Sequence, residues 1–442
     1  MKIKITQIIN NQIVETEQFQ SLHSDGGGNE MTLLNLYPQI TFQTLLGFGG
    51  AMTEASGYVL SKLPEDERQR VIESYYGRDG LGYTLARTHM DSCDFSLSNY
   101  CADDVPGDTG FVHFSLERDL KYIIPYLKHA KEISEDFKLF MAPWSPPAYM
   151  KTNNCRNHGG ELKPEFYDAW AKYMAHYIKE YEKLDLPVFC ISTQNEPEAT
   201  QTWDSCVYSA AQEREFILNH LKPALNELGL STIIMIWDHN KERMLERSES
   251  IIDGETNGIV GAIGFHWYTG DHFEAISLTH KRFPDKLLIS TEACVEYSRY
   301  SKDDTHKNAA LYAHDIIGGL NNGMHGFIDW NLVLDKNGGP NHAGNYCEAP
   351  IMCDTETGKW HKNASWYFIG HFSKYIRPGA KRIGHSLYTS RLEACAFVNP
   401  DGSLVTVVHN PSKDEIPFNL RVHNLVSKCT AKPQSISTLI LK

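Results

Sequence analysis

The chain has 442 residues, enough for one large domain with a smaller one attached or for two to three ordinary ones. Hydrophobic residues make up 41% and charged residues 22%, a globular balance that excludes a disordered chain. The formal charge of −13 leaves no basic footprint for nucleic acid or for stable association with an anionic membrane.

The N-terminus, MKIKITQIINNQIVETEQFQ, lacks the sustained apolar stretch of a secretory signal, and no run approaches the roughly 18 apolar residues of a membrane span. These features predict a cytoplasmic protein. The ten cysteines form no CxxC pair, the closest being Cys347 and Cys353, so they read as reduced thiols rather than as a zinc site or disulfide framework. In that setting the Asn363-Ala364-Ser365 sequon is incidental.

The first forty residues alternate apolar and polar, as in Lys2-Ile3-Lys4-Ile5-Thr6, which predicts strands. Short apolar runs then recur at Thr41–Leu46, Tyr83–Arg87, Lys138–Ala142, Val188–Thr193, Ile233–Trp237, Ala262–His266, Lys286–Thr291 and Gly326–Trp330. Helical patterns fall between them, including Pro64–Tyr76, Leu116–Ser134 with Ser115 as its N-cap, Pro164–Lys183, Ala210–Leu228 and Thr305–Leu320. Near the C-terminus, Ala394–Val398 and Ser403–His409 flank Asn399-Pro400-Asp401-Gly402, a hairpin with turn chemistry. Alternating strands and helices predict a (β/α)8 TIM barrel over 43–381, and the two ends, 1–42 and 382–442, predict one small β-sandwich domain built from both termini.

Active sites of such barrels lie at the C-terminal ends of the strands. Here those ends carry carboxylates, amides and large aromatics: Asp91 and Asp94 after the second strand, Trp144 after the third, Asn195-Glu196-Pro197 after the fourth, His266-Trp267-Tyr268 at the sixth, Glu292 at the seventh and Trp330-Asn331 at the eighth. Strands four and seven lie three positions apart around the ring, so Glu196 and Glu292 can face each other across the mouth. Two facing carboxylates are what glycosidic cleavage needs: a gap of about 5 Å gives retention through a covalent glycosyl-enzyme, and a wider one admits a water and gives inversion. Glu54 reads as a structural acid. His89, His266 and His342 read as satisfied polar residues, because no histidine pair has ligand spacing, and no metal or other cofactor is expected. Gly47-Phe48-Gly49-Gly50 lacks the Lys-Ser/Thr of a nucleotide-binding loop.

The stretches LLGFGGAMTEASGYVLSKL (45–63), GLGYTLARTHMDSCDFS (80–96), MAPWSPPAYMKTN (141–153), STQNEPEAT (192–200), GFHWYTG (264–270), LLISTEACV (287–295), DWNLVLDKNGGPN (329–341) and HFSKYIRPGAKRIG (371–384) resemble, in order, the glycoside hydrolase family 30 enzymes, most closely the glucosylceramidase branch. The resemblance implies a barrel with an attached sandwich, Glu196 as acid/base and Glu292 as nucleophile. It implies that Asn195 hydrogen-bonds the sugar 2-hydroxyl, that Asp94 grips distal hydroxyls, and that Trp144, Trp330 and Asn345 contact the sugar. It makes Arg87 and Tyr268 the pair that orients Glu292 and keeps it ionised. A cation beside Glu292 should lower its pKa, and the charge of Glu292 should raise that of Glu196. The expected activity is that of an exo-acting retaining β-glucosidase on a small carbohydrate or soluble β-glucoside. A β-1,6-glucanase or a β-xylosidase/β-fucosidase is the alternative within the family. A metal-dependent hydrolase lacks ligand motifs, and a non-catalytic sugar-binding protein would not need both Glu196 and Glu292. Oligomeric state does not follow from the sequence.

Overall fold

The computed structural model describes residues 1–27 and 31–442. Eight parallel strands close into a barrel: β1 (Gly47–Ala51), β2 (Leu85–Met90), β3 (Lys138–Pro143), β4 (Val188–Ser192), β5 (Ile233–Asn240), β6 (Val260–His266), β7 (Leu287–Glu292) and β8 (Gly326–Asp329). Seven of them fall on the predicted runs, and the first does not. Thr41–Thr44 ends the long strand Leu33–Thr44 of the other sheet, and the barrel begins instead at Gly47-Phe48-Gly49-Gly50-Ala51. Glycine content hides this strand from a β-propensity reading, but packing demands it. A Cβ on Gly49 would stand 2.0 Å from the Leu85 carbonyl oxygen, and one on Gly50 would stand 2.4 Å from Leu332. The barrel interior is filled by Leu85, Phe140, Cys190, Met235, Ala262, Ile289 and Ile328, so it is a packed core and not a pore.

The helices of the outer ring break where proline removes a backbone donor. The predicted Leu116–Ser134 helix is two, Glu117–Tyr122 and Ile124–Ile133, with Pro125 in the first turn of the second. Ser115 lies one residue before the observed cap, although its hydroxyl accepts the Glu117 N–H at 3.3 Å. Ala210–Leu228 is interrupted by a π turn, Ile217–Leu221, just ahead of Pro223.

Strands from both chain ends form one ten-stranded sheet, in the order Gln12–Phe19, Lys2–Ile9, Ser435–Leu441, Leu404–Asn410, Glu393–Val398, Lys381–Leu387, Leu33–Thr44, Ile416–Val422, Leu425–Ala431 and His23–Ser24. The period-2 alternation decides its two faces. Ala394 and Ala396 join Ile3, Leu34, Ile383, Phe418 and Leu439 in the sheet's own core, whereas Cys395 and Phe397 join the barrel's core. A polar link crosses the same junction. His371, on the barrel helix Ala364–Ser373, meets the hydroxyls of Thr438 and Thr6 at 2.8 Å each. Burial pushes its pKa down to about 3, so it is a neutral ring at physiological pH.

Candidate active site

At the C-terminal mouth of the barrel, Arg87 rises from β2 and is fully buried. Its guanidinium donates to Glu292 Oε2 at 2.7 Å, to Asn195 Oδ1 at 2.8 Å and to Asp238 Oδ2 at 3.0 Å. Its planar faces sit 5.0 Å and 5.4 Å from the Trp144 and Trp330 rings, which stack on each other at 5.2 Å. One arginine therefore registers the ends of β4, β5 and β7. Tyr268 completes the hold on Glu292 by donating its hydroxyl to Oε1 at 2.9 Å. Burial raises the phenol well above its ordinary pKa, so it remains a donor.

Glu196 is placed by strained backbone. It adopts a left-handed conformation, φ 47°, anchored by its N–H to the Asp238 carbonyl at 3.0 Å, and the N–H of Asn195 reaches the Pro143 carbonyl at 2.9 Å. One atom offered by each of Glu196, His266 and Glu292 lies within 4.8 Å of the other two. Arg87 takes the oxygen of the Asn195 amide, whose NH2 can donate elsewhere. Asn345 donates to Asp94 Oδ2 at 3.2 Å, which pairs a residue after β2 with one in the long loop after β8. Asp94, Trp144, Asn195, Glu196, Tyr268, Glu292, Trp330 and Asn345 all line one cavity of about 220 Å³. Arg87 lies behind this surface and touches it through Glu292 and Asn195. Gln201, Trp203, Glu296 and Arg299 also line the cavity.

The sequence reading missed Asp238 and undervalued His266. His266 stands between carboxylates, with Nδ1 3.1 Å from Glu196 Oε1 and Nε2 3.2 Å from Asp238 Oδ1. Burial works against its charge but is outweighed by Glu292, Asp238 and Glu196, and its pKa rises to about 9. It is an imidazolium with both N–H groups donated, which makes the Glu196–His266–Glu292 cluster a hydrogen-bonded ion cluster rather than a ready set of metal ligands. Asp238 also accepts from Thr291 at 2.5 Å and is held far below the usual carboxylate range: burial opposes this, but Arg87 and His266 prevail. The signal for it was the polar run Asp238-His239-Asn240 directly after the apolar part of β5.

Each glutamate shifts in the opposite sense to that expected: burial carries Glu292 up, and His266 leads the groups that hold Glu196 down. Burial pushes Glu292 up, with help from Glu196, against the pull of His266 and Arg87. Burial would raise Glu196 too, but the His266 hydrogen bond and the charges of His239 and His266 hold it down. Burial and the charge of Glu292 push Asp94 up to about 7, against its bond from Asn345. Glu54 is buried away from the cavity in a two-pronged pair with Arg118, 2.6 Å at each oxygen. His89 and His342 are likewise engaged, His89 accepting the Glu54 N–H at 2.9 Å and His342 lying 3.1 Å from the Ser96 carbonyl.

Residues 45–376 match the glycosyl hydrolase family 30 TIM-barrel domain, and residues 379–439 match that family's beta sandwich domain. The mouse (Mus musculus) lysosomal acid glucosylceramidase is 33% identical over 406 residues, covering 88% of this chain and 79% of that protein. The crystal structure of SrfJ from Salmonella typhimurium superposes with a TM-score of 0.94 at 38% identity, covering 100% of both chains. The endo-β1,6-glucanase BT3312 superposes with a TM-score of 0.89 at 25% identity, covering 99% of this chain and 98% of that one. The barrel, the sandwich and the colinear motifs agree with these matches: the chain belongs to glycosyl hydrolase family 30 and is a glycoside hydrolase.

Proposed function

We propose that the chain is a retaining β-glucosidase that removes one terminal glucosyl unit from a soluble β-glucoside by double displacement. The observation that carries this reading is the facing pair, Glu196 and Glu292, with carboxylate oxygens within 4.8 Å of each other. That spacing suits direct attack by one carboxylate and falls short of the roughly 6.5–9.5 Å separation of inverting pairs. Glu292 receives two hydrogen bonds, from a guanidinium and a phenol, which leave it an oxygen lone pair for the anomeric carbon. It is the nucleophile. Glu196 touches His266, whose proton can pass along the Nδ1–Oε1 hydrogen bond, and so it is the acid that protonates the leaving oxygen and the base that later activates water. Asn195 offers its NH2 to the 2-hydroxyl, while Asp94 and Asn345 take the distal hydroxyls over the Trp144–Trp330 floor.

A cavity of about 220 Å³ accommodates a single glycone far better than a chain of sugars, which supports exo action. The name of the similar glucosylceramidase supports glucose as the glycone. A second reading, endo-β-1,6-glucanase, is favoured by the likeness to an enzyme of that name. The test is turnover of aryl β-glucoside, β-xyloside, β-fucoside and β-galactoside beside β-1,6-glucan, with proton NMR of the first-formed anomer. Glucoside turnover with β-glucose appearing first is expected. First-formed α-glucose would overturn retention, and oligosaccharides from glucan without aryl-glucoside turnover would establish the endo reading.

No metal takes part in this mechanism, so kcat/KM should be unchanged by EDTA. A loss restored by added zinc would instead support a metal-dependent hydrolase.

Asp94 gives a pH-dependent prediction. Its pKa is raised to about 7, so the ionised form, which accepts two hydroxyl hydrogen bonds, grows as pH rises through that value. Glucose should therefore bind more tightly at pH 8 than at pH 6, and Asp94→Asn should remove that dependence and cost about 2–3 kcal/mol in kcat/KM. If Asp94 reads the 6-hydroxyl, the loss shrinks on a xyloside. An unchanged kcat/KM in the variant would remove Asp94 from the binding set.

A further inference from the structure

Cys294 and Cys347 have no part in the mechanism above, yet their sulfurs lie 3.4 Å apart. They come from different loops. Cys294 follows Glu292 by two residues, and Cys347 opens the short strand Cys347–Glu348, which pairs antiparallel with Val295–Glu296. That pairing holds the loops after β7 and β8 in register and presents the two thiols to each other. Cys294 lines the catalytic cavity and also a neighbouring cavity of about 460 Å³ bounded by Trp267, Tyr268 and Arg299. A small reagent can thus approach Cys294, although both thiols are almost fully buried.

We propose that Cys294 and Cys347 are an oxidisable dithiol whose disulfide shuts down the adjacent catalytic site. With a small disulfide as oxidant, the thiolate of Cys294 attacks it and expels one small thiol. The thiolate of Cys347 then displaces the second from the mixed disulfide. Two S–H bonds break and one S–S bond forms in the protein. The oxidant's S–S bond takes up the two electrons and the two protons as two thiols. The sulfurs draw in from 3.4 Å to about 2.05 Å.

Both sides of the site feel this contraction. The Tyr268 hydroxyl that donates to Glu292 lies 3.4 Å from Cys294 Sγ. The Asn345 carbonyl lies 3.7 Å from Cys347 Sγ, and the Asn345 side chain holds Asp94. Because a misplacement of about 1 Å can cost 100-fold, a loss of at least tenfold in kcat/KM is expected. Burial pushes the Cys294 thiol well above its ordinary pKa, so exchange at neutral pH is slow.

The experiment uses the full chain, reduced, desalted and incubated with 2-hydroxyethyl disulfide. Expected are a loss of two hydrogens in intact mass, a Cys294–Cys347 cross-link in the peptide map, a fall of tenfold or more in aryl-glucoside turnover, and recovery with dithiothreitol. Cys347→Ala, and Cys347→Ser as a second variant, should turn over within about threefold of the reduced parent and, on the same treatment, should stop at the mixed disulfide on Cys294, read as the added mass of one small thiol with no cross-link. The proposal is overturned by absence of the cross-link at full oxidation, by undiminished turnover of the cross-linked protein, or by a loss of two hydrogens in the variants, which would place the disulfide elsewhere. The effect on turnover rests on the glycosidase reading, but the cross-link is read by mass alone. A reduced protein without any turnover would count against that reading and not against the pair.

Discussion

Glu292→Ala should abolish turnover of β-glucosides, with a fall on the order of 10⁴-fold or more in kcat, at least about 5 kcal/mol of transition-state stabilisation. The size follows from what the side chain does. In the proposed mechanism it supplies the attacking oxygen, and none of the neighbouring carboxylates of Glu196, Asp238 and Asp94 can substitute for it. Glu196 is turned toward His266, Asp238 is locked by Arg87, Thr291 and His266, and Asp94 is tied to Asn345. A small external anion can take the vacated place, so azide should restore turnover and leave α-glucosyl azide. A 2-deoxy-2-fluoro-β-glucoside with a good leaving group should label the parent enzyme, and peptide mapping should find the label on Glu292. A label on Glu196 or Asp94 would refute the assignment. Arg87 would survive this change as a buried cation deprived of one carboxylate, so the variant should also be less stable than the parent.

Much of this architecture was legible because the barrel writes a simple pattern: an apolar run that can lie buried on both faces, then polar residues where the strand emerges at the mouth. Val188–Ser192 followed by Asn195-Glu196, and Leu287–Glu292 itself, are plain instances. The terminal sheet was legible for the opposite reason, since alternation in Lys2–Ile9 and Glu393–Val398 marks strands with two unlike faces. What failed to show was whatever depends on close approach or on pairing across the barrel. In the first strand Gly49 and Gly50 leave room that a Cβ would fill against Leu85 and Leu332, and glycines score as turn. Asp238 looks like any acid at a strand end until Arg87, His266 and Thr291 are seen converging on it. His266 has no hydrogen-bond partner within its own segment, so its charge, and with it the downward pull on Glu196, is a property of the folded mouth alone.

Glu196→Ala should separate substrates by leaving group. A natural alkyl glucoside needs a proton at the departing oxygen, and its kcat/KM should fall by about 10³–10⁴-fold, the range that positioned acid–base catalysis supplies. A dinitrophenyl glucoside leaves unaided, and its kcat/KM should stay within about tenfold of the parent. Its second step, however, loses the base that activates water, so the glucosyl-enzyme accumulates and KM drops with kcat. Azide attacks that intermediate from the face Glu196 vacated and should yield β-glucosyl azide. Equal losses on both substrates would exclude the acid/base role. The proton's history adds a pH test in the parent enzyme. His266 gains its carboxylate partners on folding and is raised from 6.5 to about 9, so the proton shared with Glu196 is fully present below 6.5 and is lost as pH rises through 9. Activity on the alkyl glucoside should fall along that limb, since the acid must be charged from this pair. The initial glucosylation of the enzyme by the dinitrophenyl substrate should not follow it, because no proton is needed there. An alkaline limb common to both substrates would place the titrating group on Glu292 or its donors instead.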